Sequence, residues 1–200
     1  MLDLTAKTLI TEDDIRSAPV GATLRVSSRV LVTPLAADLA RERHVQIERI
    51  PEEAAPLKIA IGADHGGFEM KEALKGVLSE LAFEYQDFGT NSNATVDYPD
   101  FAQAVALAVS RGKCDLGIMI DGAGIGSCMA ANKVRGVRAA MCYDEASARN
   151  SREHNGANVL TLGGKMISNE KMREIVRVWL SSALTEERHR RRVAKIDAIL

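Results

Sequence analysis

The sequence predicts an α/β fold, a doubly wound three-layer sandwich around a five-stranded parallel sheet, with a small α+β appendage at the N-terminus. Three observations carry this reading. From residue 57 onward, short apolar runs alternate with helical segments, the pattern of a parallel sheet covered on both faces. The run Leu116–Ile120 is almost wholly apolar, as a strand buried on both sides must be. Between the two parts, Glu48-Arg-Ile-Pro51-Glu-Glu-Ala-Ala-Pro56 interrupts the rhythm with two prolines and a cluster of acids, which divides the chain into residues 1–56 and 57–200.

In the first part, Thr11 caps a helix with Asp14 three residues on, a capping box with Asp in place of Glu or Gln. Thr33-Pro34 opens a second helix through Ala40, with Pro34 at its first position. Leu24–Val26 and Val45–Ile47 read as short strands. About fifty residues bury little core, so this module is expected to dock onto something else. In the second part the strands are expected at Lys58–Ile61, Phe83–Gln86, Leu116–Ile120, Val137–Met141 and Asn158–Leu162. Helices are expected at Gly67–Leu81, Asp100–Ser110, Gly126–Lys133, Asp144–Glu153, Asn169–Ser181 and from Thr185.

Composition narrows the class. Two hundred residues with 46% hydrophobic content supply one large core, and a formal charge of −1 gives no global attraction to nucleic acid or an anionic membrane. Three cysteines, Cys114, Cys128 and Cys142, lack metal-ligand spacing and fit a reducing compartment. Met1-Leu-Asp-Leu-Thr-Ala-Lys has neither the basic nor the apolar region of a secretory signal, and no run reaches membrane-spanning length. A cytoplasmic protein is expected.

Ligands in doubly wound sheets sit outside the carboxyl ends of the strands, which selects Asp64-His65-Gly66-Gly67 and Asp121-Gly122-Ala123-Gly124-Ile125-Gly126. The two loops are expected to share one crevice. Glycines at a helix N-terminus expose backbone amides that bind anions, so Asp121 reads as a group placed to act on whatever anion the loop holds. G-x-G-x-G, with Ser127 where a dinucleotide fingerprint needs its last glycine, and its place after the third strand argue against nucleotide binding. His65 can donate to a phosphate or move a proton near neutral pH, although Asp64 in such a turn can equally be a helix cap. His154-Asn155 falls at a helix end, where the plain reading is a C-cap with Asn155 or Gly156 in the left-handed conformation. Arg188 and Arg192 share a helix face and can grip one phosphate; a solvated charged face is the plain alternative.

Together, Gly62-Ala-Asp64-His65-Gly66-Gly67, Asp97-Tyr98-Pro99, Gly122-x-Gly124-x-Gly126 with Ala130-Ala-Asn132-Lys133, Arg152-Glu-His154-Asn155 and Arg188-His-x-x-Arg192 resemble the ribose-5-phosphate isomerase B / galactose-6-phosphate isomerase family over Lys58 to Leu200. The resemblance implies a Rossmann-like sandwich, a homodimer or homotetramer with active sites at the subunit interface, and cofactor-free, metal-free aldose–ketose isomerisation of a sugar phosphate. By position it implies that Asp64 and His65 contact the substrate, and that Tyr98 lies in the site. The amides of Gly122, Ala123, Gly124, Ile125 and Gly126 would stabilise an enediolate. His154, with His65, would assist ring opening; Asn155 would bind substrate; Arg188 and Arg192 would hold its phosphate.

The chain departs from the family at the base. The common pattern has cysteine at position 121, and a second variety has glutamate at 127, where this chain has Asp121 and Ser127. Asp at 121 is similar to the galactose-6-phosphate isomerase subunit that lacks the cysteine. A free aspartic acid has a pKa of about 3.9, so Asp121 suits the work of a base only in a dry, closed site. Ribose 5-phosphate is the expected substrate; another sugar phosphate with a partner subunit, or a non-catalytic phosphosugar-binding subunit, is the alternative. Leu31-Val-Thr33-Pro34-Leu35-Ala-Ala-Asp38 is similar to segments attached to some bacterial microcompartment enzymes. That implies a shell or cargo partner inside a microcompartment, with an oligomer-stabilising arm as the other reading.

Overall fold

The structure, a computed structural model, describes residues 1–50 and 57–199. These fall into two compact units on either side of residues 51–56. The expected linker Pro51–Pro56 therefore lies outside the described residues.

The N-terminal unit contains β1 (Leu2–Asp3), β2 (Leu9–Ile10), α1 (Glu12–Ser17), β3 (Thr23–Ser27), β4 (Leu31–Val32), α2 (Pro34–Glu42) and β5 (Gln46–Ile50). Both expected caps form: the Asp14 carboxylate accepts from the Thr11 amide at 3.0 Å, and Thr33 Oγ1 accepts from the Ala36 amide at 3.1 Å. The strands make two parallel sheets, β1-β3-β5 and β2-β4. Leu2 pairs with Leu24 and Leu9 with Leu31, an offset of 22 residues in both sheets. The caps Thr11 and Thr33 and the buried Ala18 and Ala40 keep the same offset. The unit is therefore a coil of strand, strand and helix wound twice and closed by β5. Stacking one turn on the next buries Ile10, Ile15, Leu24, Val26 and Ala36.

The second unit contains β6 (Lys58–Ala63), α3 (Phe68–Glu80), β7 (Glu84–Asp87), α4 (Tyr98–Ser110), β8 (Leu116–Asp121), α5 (Ile125–Ala131), β9 (Ala139–Met141), α6 (Glu145–Glu153), β10 (Val159–Gly163), α7 (Asn169–Ser181) and α8 (Glu187–Asp197). Its five strands are all parallel, in the order β7-β6-β8-β10-β9. This is the expected three-layer α/β sandwich. Alternate residues of β6 and β8 feed two cores. Ile59, Ile61, Ile118 and Ile120 pack with α3 and α7, while Ala60 and Met119 pack with α4. Every residue of β8 is buried. Gly62 and Gly117 let α4 approach closely, since a Cβ at either would meet Val105 at 2.8 and 2.7 Å. Among the described residues no helix is long and apolar enough to cross a membrane.

Candidate active site

The order β7-β6-β8-β10-β9 reverses direction between β6 and β8, and the carboxyl ends there open a crevice. Three loops meet in it. The Asp64 amide donates to the Ile120 carbonyl at 3.2 Å, and the Gly164 amide donates to the Asp121 carbonyl at 2.7 Å. A Cβ on Gly66 would sit 3.2 Å from Gly122, so the first two loops touch as expected. The crevice holds about 270 Å³ and is lined by His65, Gly66, Glu69, Asn93, Gly164 and Lys165 among others.

Asp64 is 7% exposed, and its Oδ1 accepts from the Gly66 and Gly67 amides at 2.8 and 3.0 Å. That is the capping role, and it leaves Oδ2 without a partner among the described residues. His65 Nδ1 lies 3.2 Å from the Val96 carbonyl oxygen and 3.3 Å from the Val96 nitrogen, so Nε2 is the ring nitrogen left for the crevice. This contact also ties the Asn91–Val96 loop to the site. Tyr98 opens α4 after the N-cap Asp97, and its ring covers Gly126; a Cβ there would fall 2.5 Å from Tyr98 Cζ.

The glycine loop departs from the expectation that all its amides await an outside anion. Asp121, 4% exposed, occupies part of the nest itself. Its Oδ1 accepts from the amides of Ala123 (2.8 Å) and Gly124. Its Oδ2 accepts from the Ser127 amide (3.0 Å) and the Ser127 hydroxyl (2.5 Å). An aspartate side chain is short enough to fold back onto amides two, three and six residues ahead, and a carboxylate offers about four acceptor positions. All are used. The loop amides left for a ligand are those of Gly122, Ile125 and Gly126, the last two being orphan donors at the start of α5. The loop's carbonyls are pinned from the far side. Tyr143 donates its hydroxyl to Ala123 O at 2.6 Å, and the buried Thr161 donates to Gly124 O at 2.9 Å. Gly124 adopts φ +80°, where a side chain would be strained and would meet Leu162 at 2.9 Å.

The remaining expected residues lie elsewhere on the same chain. His154 is the C-cap of α6 and Gly156 is left-handed at φ +58°, as the plain reading of that segment requires. Helix α6 runs back from the end of β9 to the start of β10, so His154 and Asn155 sit at the amino edge of the sheet. Asp121 pairs with Gly163 at the carboxyl edge. The five residues of β10 span about 16 Å between these edges. Helix α8 joins His154 there: the rings of His154 and His189 stack with centroids 4.4 Å apart. Arg188 is exposed and pairs with Glu186 at 2.6 Å, and Arg192 is exposed. Asn155 opens onto a second cavity of about 500 Å³ along β9. A single chain thus places Asp64, His65, Tyr98 and the Asp121 loop at one edge, and His154, Asn155, Arg188 and Arg192 at the other.

Several site residues were not picked out from the sequence. Lys165 is a cation on the crevice wall, just after Gly163-Gly164 at the end of β10. The carboxyl-end rule applied to the third central strand would have found it. Ser127, Tyr143 and Thr161 act on the loop through hydroxyls that carry no sequence signature of their own.

The family model described as Ribose/Galactose Isomerase matches residues 59–196. The chain is 44% identical over 142 residues to ribose-5-phosphate isomerase B of Escherichia coli, covering 71% of this chain and 95% of that protein. It is 40% identical over 129 residues to D-erythrulose-4-phosphate isomerase of Pectobacterium atrosepticum, covering 63% of this chain and 84% of that one. Among solved structures it resembles Clostridium thermocellum ribose-5-phosphate isomerase B (TM-score 0.70, 48% identity, 72% of this chain and 97% of that one). It also resembles the Mycoplasma genitalium enzyme with bound ribulose-5-phosphate (TM-score 0.68, 40% identity, 71% and 95%).

Proposed function

The chain belongs to the ribose/galactose isomerase family, and from that premise we propose that it interconverts ribose 5-phosphate and ribulose 5-phosphate through an enediolate. The chemistry at this level, aldose–ketose isomerisation of a sugar phosphate, is that of the family. The observation that carries the finer reading is the convergence of three strand ends on one crevice. There His65, with its Nε2 left open, and Lys165 line the crevice, and the Asp121 loop, whose amides at Gly122, Ile125 and Gly126 have no partner among the described residues, adjoins it at Gly66 and Gly164. Those amides are the donors for the enediolate oxygen.

Asp121 moves the proton between C2 and C1. To do so it exchanges the Ser127 hydroxyl, the one bond of its four that a side-chain rotation removes, for the substrate C–H. Because His154, Asn155, Arg188 and Arg192 lie about one strand length away, they complete the site of a second copy. The oligomer is a dimer, or a tetramer built of such dimers, and the phosphate falls between His65 with Lys165 of one copy and the arginines of the other. The segment 1–56 lies outside the matched residues and serves targeting to a microcompartment or steadying of the oligomer, not the chemistry.

A second reading has one observation in its favour. Asp64 Oδ2 is free where both oxygens of Asp121 are taken, so Asp64 would be the base and Asp121 the anchor of the loop. Turnover of ribose 5-phosphate by the single chain, measured beside Asp121→Asn and Asp121→Cys, decides. The first reading expects activity in the parent, none in Asp121→Asn, and activity in Asp121→Cys, which restores a proton acceptor. Loss in both variants supports Asp64. No turnover in the parent, with ribose 5-phosphate still raising its melting temperature, contradicts the substrate assignment and favours another sugar phosphate or a binding role.

A further inference from the structure

At the end of α6, His154 is held by two side chains that the reaction described above does not use, Asn150 and His189. His154 Nδ1 lies 2.9 Å from Asn150 Nδ2, and Asn150 Oδ1 accepts from Asn155 Nδ2 at 3.4 Å. The second bond orients the first. With its oxygen turned to Asn155, Asn150 has only N–H donors to offer His154. An Nδ1 that accepts a hydrogen bond carries no proton, so the neutral ring carries its proton on Nε2.

The plane of the ring is set from α8. His189 lies beneath His154 with centroids 4.4 Å apart and planes 18° from parallel. It is 5% exposed, its Nε2 has no hydrogen-bond partner among the described residues, and Glu186 is 3.7 Å away. Burial first, then His154, Arg188 and Arg192, push His189 below the ordinary imidazole range against the pull of Glu186. The floor under His154 is therefore a flat ring whose charged form is disfavoured.

We propose that Asn150 and His189 are positioning residues that present His154 to the sugar as a neutral hydrogen-bond donor at Nε2, not as a proton acceptor. This rests on the reading that His154 assists ring opening. The step balances without a proton from the imidazole. The C1 hydroxyl gives its proton to water as the carbonyl forms, and the electron pair of the bond between C1 and the ring oxygen moves onto that oxygen. The Nε2–H hydrogen-bonds the oxygen as charge builds there, and water then protonates it. The opposite tautomer would aim a lone pair at the growing charge.

Asn150→Asp keeps the side-chain size and puts only acceptors opposite Nδ1, which draws the proton to that nitrogen. Nitrogen-15 NMR of the imidazoles in the full chain reads the tautomer directly. The expected result is a protonated Nε2 in the parent and a protonated Nδ1 in Asn150→Asp. Its kcat for ribose 5-phosphate falls about 100-fold while KM moves less than about threefold. His189→Phe keeps a flat ring under His154 and stays within about threefold of the parental kcat, whereas His189→Leu loses about tenfold at an unchanged melting temperature. A parent protonated on Nδ1, or an Asn150→Asp variant with the parental tautomer, overturns the proposal whatever the activity. Equal kcat for His189→Phe and His189→Leu removes His189 from it. If the tautomer switches as expected but His154→Gln keeps parental turnover, the ring-opening role of His154 is what fails.

Discussion

Gly67 and Gly126 stand in the two loops of the crevice, and their surroundings predict opposite consequences for the same substitution. A Cβ at Gly67 would fall 2.2 Å from the Ile120 carbonyl, backbone of the central strand, so Gly67→Ala must push α3 off β8. Its expected cost is about 1–3 kcal/mol, read as a lower denaturant midpoint. At Gly126 the obstacle is the ring of Tyr98, which is 39% exposed and can swing away. Gly126→Ala is expected to keep its midpoint within about 0.5 kcal/mol and to lose turnover, because Tyr98 no longer covers the loop. Equal destabilisation of the two variants would contradict this account. Residue positions at the crevice were readable because strand ends followed by Asp and Gly can be recognised one by one. The direction of the Asp121 carboxylate was not. An aspartate after a strand can face the ligand or fold back on amides ahead of it, and only the packed loop with Ser127 decides between them.

At the level of elements, the helix boundaries came through best where a cap and a periodic face coincide. Asn169–Ser181 is observed with the bounds expected for it, started by Ser168, whose side chain accepts from the Lys171 amide. The strands β1, β2 and β4 span two residues each, too short for any alternation to register, and so the 22-residue repeat went unread. Its two turns share only Leu2/Leu24, Leu9/Leu31, Thr11/Thr33 and Ala18/Ala40. Helix α3 conceals another feature. Lys71 reads as a surface residue, yet it is fully buried, with Nζ 2.5 Å from Asp87 Oδ2 and 3.1 Å from Glu72 Oε1. Lys75 joins the same Asp87 oxygen at 2.8 Å. Burial alone would raise Asp87, but hydrogen bonds from Lys71, Lys75 and the Gly89 amide outweigh it and hold the carboxyl below its usual range. A depressed carboxylate contributes stability that is complete above its unfolded value of about 3.9 and is lost as pH falls through the folded value. Asp87→Asn, which leaves the buried Lys71 charge to the half-exposed Glu72 alone, is expected to cost about 3 kcal/mol at pH 7 and to flatten the acid limb of the stability curve. Adding Lys71→Met should recover most of that loss. An unchanged acid limb in Asp87→Asn would show that the cluster is not what couples β7 and α3 to pH.

At the scale of the whole molecule, the sheet that builds the crevice also divides the machinery. Parallel strands put every following loop at one edge, and every return from a helix at the other. The Asp121 loop and His154 therefore cannot meet within one chain. In the sequence these residues come together as one site only through the family resemblance, because motif order along a chain does not say which edge of a sheet each motif reaches. The measurement that tests the central claim is complementation between Asp121→Asn and His154→Gln. The two variants, each inactive alone on ribose 5-phosphate, are mixed, unfolded and refolded together. If the site is shared, each mixed dimer contains one site with both residues intact, and the mixture recovers about a quarter of the parental rate. A mixture that forms mixed oligomers yet stays inactive would contradict a site built from opposite sheet edges of two copies.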